Sequence, residues 1–78
     1  MTNTEYRQSV LSACSMCAQD CKGSADYAAY SFGHDDESKA REYVRHLENN
    51  LSRLKGEMSS LDYVNRKIKE AGPDSTES

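Results

Sequence analysis

Residues 44–68 read VRHLENNLSRLKGEMSSLDYVNRKI. Val44, Leu47, Leu51, Leu54, Met58, Leu61, Asn65 and Ile68 follow one another at spacings of 3, 4, 3, 4, 3, 4 and 3. That alternation is the a/d repeat of a helix with one apolar seam, and it predicts a long amphipathic helix. Upstream, HDDES at 34–38 offers Asp35 or Asp36 as an N-cap, with acids in the first turn where the helix dipole favours them. Downstream, Gly72 and Pro73 are a stop signal, and Arg66, Lys67 and Lys69 place cations near the C-terminal end. The predicted helix spans 36–71. Gly56, at an outward position, costs about 1 kcal/mol relative to alanine and is one place where the helix would kink.

The same periodicity, built from smaller residues, occupies the first half. Thr2 and Glu5 form a capping-box pattern, and no proline follows before Phe32. One row reads Val10, Cys14, Cys17, Cys21, Ser24, Ala28 and Ser31. A second row, Leu11, Ala18, Ala25 and Phe32, repeats every seven residues beside it. These rows predict a helix over 3–32, with Gly23 as the second candidate kink. The turn is expected at 33–35. So short a connection makes the helices antiparallel neighbours. The polar tail, GPDSTES at 72–78, is expected to be disordered.

The expected fold class is therefore all-α, a hairpin of two long helices in one domain over 1–71. With 78 residues and 36% hydrophobic content, one hairpin buries little core, and chains of this size lean on metals, disulfides or association. A homodimer that closes into a four-helix bundle is the expectation. Residues 1–36 carry two basic and five acidic groups, −3, whereas residues 37–71 carry eight basic and six acidic groups, +2. That opposition suits two helices lying side by side.

Net charge of −3 disfavours nucleic acid and anionic membrane as partners. No apolar run approaches the ~18 residues of a membrane span. The opening MTNTEYRQSVLSAC has no basic segment followed by an apolar run and does not read as a signal peptide, so a cytoplasmic location is expected.

Cys14, Cys17 and Cys21 are the three cysteines of the chain. On a continuous helix Cys14 and Cys21 lie about 10 Å apart along the axis. Zinc needs sulfurs at ~2.3 Å, so all three cannot reach one ion unless the helix breaks. Adjacent pairs can share a metal, which would be zinc or copper. A four-thiolate site would need two cysteines from each of two chains. The favoured reading makes these thiols part of the core seam, with no cofactor. Folded about residues 33–34, the hairpin sets Cys21 level with Leu47, Cys17 with Leu51, Cys14 with Leu54, Val10 with Met58 and Tyr6 with Leu61. Small residues opposite large ones fill a seam at native density.

Five tyrosines without tryptophan direct attention to recognition. Tyr27 and Tyr30 near the hairpin tip, together with Tyr63, Val64 and Ile68, are the candidate interaction residues. Tyr43 is expected at the edge of the seam. Asn65, at an a position, is of the kind that fixes register. No phosphate loop and no nucleophile–base arrangement is present, so the chain is not read as an enzyme. The expected role is binding another protein, as adaptor or as inhibitor, in a phage or mobile element for instance. One alternative is metal or thiol chemistry at the three cysteines. The other is RNA binding, because the architecture resembles that of the plasmid copy-number Rop proteins, also paired helical hairpins.

Overall fold

The computed structural model describes residues 1–74 of the chain. Two helices account for nearly all of it. α1 spans Asn3–Gly33 and α2 spans Glu37–Ala71. They lie side by side as an antiparallel hairpin whose Cα atoms extend 54 Å along the rod and 16 by 14 Å across it. Both helices run unbroken through Gly23 and Gly56. Neither glycine is near another group: a Cβ added at either would meet nothing within 4 Å. No helix among the described residues is long and apolar enough to cross a membrane.

The helix ends follow from local chemistry. The Thr2 hydroxyl accepts from the Glu5 main-chain N–H at 3.2 Å, and Thr2 N–H donates to the Glu5 carboxylate at 3.0 Å, so the capping box is complete. Asp36 caps α2 by accepting from the Lys39 N–H at 3.2 Å. Between the helices the chain turns at 34–36, one residue later than expected. The His34, Asp35 and Asp36 N–H groups all donate back to carbonyls of the last turn of α1. Asp35 takes the left-handed conformation, φ 57°, that reverses the chain.

The far end is tied down as well. The Pro73 carbonyl accepts from both the main-chain N–H and the hydroxyl of Thr4, at 3.0 and 2.9 Å. The Gly72 carbonyl accepts from the buried Asn3 amide at 3.2 Å. The first residues of the tail, Gly72 and Pro73, are therefore hydrogen-bonded to the start of α1. Residues 75–78 lie outside the described residues.

The two helices meet in a different register from the one expected. Asp20 meets Arg53, Ser24 meets Asn50, Tyr27 meets Tyr43 and Arg7 meets Asn65. Each partner on α2 lies about one to two turns beyond the place that a fold about 33–34 assigns to it. Part of the offset is the later turn. The rest comes from these side-chain contacts, which set the helices' relative height.

α2 is also rotated. The row it turns toward α1 is Tyr43, Leu47, Asn50, Leu54, Glu57, Leu61, Val64 and Ile68, all buried or half-buried. Leu47, Leu54 and Leu61 hold their expected places. Leu51 and Met58, expected between the helices, are 42% and 51% exposed. Val64, expected on the surface, is fully buried. The cause is an excess of apolar positions. α2 carries three adjacent rows that can face inward, and a single partner helix covers two of them. On α1, Val10, Cys17, Ala28 and Ser31 are buried, with Cys14, Cys21 and Ser24 half-buried. These side chains are mostly small and allow the helices to approach closely.

Candidate functional site

The hairpin has two broad faces of unlike chemistry. On the first, Phe32 of α1 and Val44 of α2 border one groove near the turn, with Arg41, Arg45 and Glu48 around it. From Phe32 the row Ala25, Ala18, Leu11 recedes along α1 in steps of seven. From Val44 the row Leu51, Met58, Asn65 recedes along α2 in the same steps. At the opposite end of the rod Arg7 Nε donates to Asn65 Oδ1 at 2.8 Å, so the two rows still run together there. Phe32 is 55% exposed, and Leu51 and Met58 are comparably open. The result is an apolar strip along one whole side of the hairpin, with Arg7 and Asn65 closing its end.

The second face carries the aromatic residues of the hairpin tip. Tyr27 and Tyr43 stack across the helices, with ring centroids 5.2 Å apart and planes at 21°. Tyr43 also leans on His46 at 6.1 Å. One turn further along α1, Tyr30 stacks on His34 at 4.1 Å, and His34 Nδ1 donates to the Tyr30 carbonyl at 2.9 Å. Between these stacks lies an open groove of about 420 Å3, floored by Ser31 and edged by Asp26, Asp36 and Lys39. Of the residues expected to interact, Tyr27 and Tyr30 are exposed here. Tyr63 is exposed far from the tip, with the Lys67 ammonium 5.5 Å above its ring. Val64 is buried within the chain and does not offer itself to a partner, and Ile68 is half-buried.

Tyr43, expected at the edge of the seam, joins the tip cluster together with His34 and His46, neither of which is among the expected interaction residues. The spacing signals were Tyr30 with His34 at i,i+4 and Tyr43 with His46 at i,i+3, which place each pair on one helix face.

The three cysteines are free thiols. Cys17 is 5% exposed between the helices, whereas Cys14 and Cys21 are half-buried. Among the described residues no group of three or more His, Cys, Asp or Glu side chains is arranged to hold a metal ion. Among the described residues one titratable group has a clearly displaced pKa. The Glu5 carboxyl is held below its ordinary value, first by the Thr2 main-chain N–H and then by the Thr2 hydroxyl. That displacement belongs to a helix cap. No family model matches the chain, nor does any curated protein or solved structure, so the reading of function rests on the two faces themselves.

Proposed function

We propose that the chain is a protein-interaction module, an adaptor or inhibitor, that pairs with a second copy into a four-helix bundle and presents its tyrosine face to another protein. The observation that carries this reading is the apolar strip in which Phe32, Ala25 and Ala18 beside Leu51 and Met58 are exposed, with Leu11 and Val44 half-buried at its ends. Its residues recur every seven positions on both helices, the spacing of a helix seam with no second layer over it. In the middle of the strip Ala18 and Ala25 of α1 are small where Leu51 and Met58 of α2 are large, and the two rows are complementary there. A two-fold axis parallel to the rod sets each α1 row against the partner's α2 row, small against large. A hairpin with five buried apolar residues among the described ones also has much to gain from a second layer.

Native mass spectrometry of reduced protein, purified without chelator, tests the reading. The expected species is metal-free at twice the 8.7 kDa of one chain. A monomer at tens of micromolar would remove the bundle. Stoichiometric zinc or copper would move the function to Cys14, Cys17 and Cys21.

A further inference from the structure

From the tyrosine face we infer a binding groove for a cationic side chain, an arginine of a basic peptide segment on the partner protein. The inference rests on the interaction reading above and names the chemistry of the partner. Three rings, Tyr27, Tyr30 and Tyr43, surround the groove, and two carboxylates, Asp26 and Asp36, stand at its edge. Tyrosine faces are electron-rich and attract a cation placed within about 6 Å of the ring centroid. The chain already uses this contact once, where the Lys67 ammonium sits 5.5 Å above the ring of Tyr63.

Among the described residues lining the groove Lys39 is the single lysine or arginine, against the two carboxylates. That balance favours a cation and repels phosphate, which sets the groove apart from a nucleotide site. Its volume of about 420 Å3 lies within the ~300–1,000 Å3 of small-ligand sites. The stacks are preformed. Tyr27 is held against Tyr43, and Tyr30 against His34, whose ring is fixed by its bond to the Tyr30 carbonyl. Less side-chain entropy is therefore lost when a ligand arrives. A guanidinium suits the site better than an ammonium, because its flat face stacks on a ring while its N–H groups reach a carboxylate.

The probe is a capped Gly-Arg-Gly-Arg-Gly peptide, with Gly-Glu-Gly-Glu-Gly as its control, titrated into labelled protein and followed by amide chemical shifts. Saturable shifts centred on Tyr27, Tyr30, His34, Lys39 and Tyr43 are expected with the arginine peptide alone. Tyr30 is 64% exposed and makes no ring contact with α2, so Tyr30→Leu keeps the fold. It should weaken binding roughly two- to fivefold, while Tyr30→Phe, which retains the ring, should bind as the wild type does. Asp36→Asn keeps a good N-cap but removes a charge, and should also weaken binding. Lys39→Gln should tighten it. Shifts scattered over the rod without saturation, equal shifts with the glutamate peptide, or an unchanged affinity in Tyr30→Leu would each overturn the groove. The mass of the same samples separates the two readings. Protein that pairs without binding arginine loses the groove alone, whereas a monomer that binds arginine keeps the groove and loses the bundle.

Discussion

Asn50 reaches from α2 into α1, donating through Nδ2 to the Ser24 hydroxyl at 3.0 Å and to the Asp20 carbonyl at 3.3 Å. A polar residue thus holds an inward position between Leu47 and Leu54. Arg53 adds contacts at the same level, to Asn50 Oδ1 at 3.4 Å and to the Asp20 carboxylate at 3.8 Å. The Arg53–Asp20 pair is well exposed and adds little. The amide is what pins the register. Asn50→Ala should lower stability by about 1 kcal/mol in urea titrations, the usual net worth of such bonds. Asn50→Leu should recover or exceed wild-type stability while blurring amide shifts along the seam, because apolar contact leaves register less specified. Sharp, wild-type-like shifts in Asn50→Leu would mean that other contacts set the height.

Leu51 and Leu54 are three residues apart and should fail in different ways. Leu54 lies in the row that faces α1, whereas Leu51 lies on the open strip. Leu54→Ala should cost about 2 kcal/mol, the lower end for a leucine because the site is only half-buried. Leu51→Asp should leave the single hairpin helical and abolish pairing, since it puts a charge in the middle of the proposed interface. Circular dichroism together with light scattering separates the two. A Leu51→Asp protein that unfolds at high concentration as well as low would return Leu51 to the core of the hairpin itself.

Glycine-to-alanine changes should differ in sign along the chain. Gly23 and Gly56 sit in helix interiors with free space around them, so alanine there should stabilise by roughly 0.5–1 kcal/mol each. Gly72 ends α2 at φ 93° and ψ 162°, a region open to glycine almost alone. Gly72→Ala should destabilise by about 1 kcal/mol, limited by fraying of the chain end. Thermal melts of the three variants give the test. A loss at Gly56 would point to close approach of another chain at that surface.

Much of this architecture could be read from residue spacing. Both helices were legible because their ends carry strong local signals: the Thr2–Glu5 box, Asp36 as cap and Gly72 as stop. Each predicted helix boundary lies within one residue of the observed one. The rotation of α2 was not legible. Hydropathy marks Val44, Leu51 and Met58 as apolar as readily as it marks Leu47, Leu54 and Leu61, and nothing in that pattern says which rows turn inward. The decision comes from Tyr43 and Asn50, whose partners Tyr27 and Ser24 lie far away in sequence. The row Leu11, Ala18, Ala25, Phe32 is legible from its seven-residue spacing. Its meaning appears only when the matching row of α2 is found beside it on the same side of the rod.

Thiol reactivity should follow depth in the seam. Cys17 is buried between the helices, and Cys14 and Cys21 are half-buried one turn to either side. Maleimide labelling of native protein should modify Cys17 last, and all three should react alike in urea. Cys17→Ala should cost less than Leu54→Ala, because it removes less volume. Equal losses in matched melts would show that Cys17 contributes more than packing.

The capping box at the start of α1 should make a small part of stability depend on acid. Glu5 accepts from the Thr2 main-chain N–H, and its carboxyl titrates below the ordinary 4.5 for that reason. A carboxyl whose pKa folding lowers contributes fully above its unfolded pKa, and the contribution is lost as pH falls through the folded value. The window therefore opens near pH 4.5 and extends downward. Glu5 is fully exposed, so the effect is modest and confined to the end of the helix. Wild type should melt higher than Glu5→Ala at pH 6, and the gap should narrow as the pH is lowered from 6 to 3. Glu5→Gln, an acceptor at any pH, should keep part of the box at both. A gap between wild type and Glu5→Ala that stays constant from pH 6 to pH 3 would show that the ionised carboxylate adds nothing to the cap. Glu5 would then stabilise α1 only through its helix propensity.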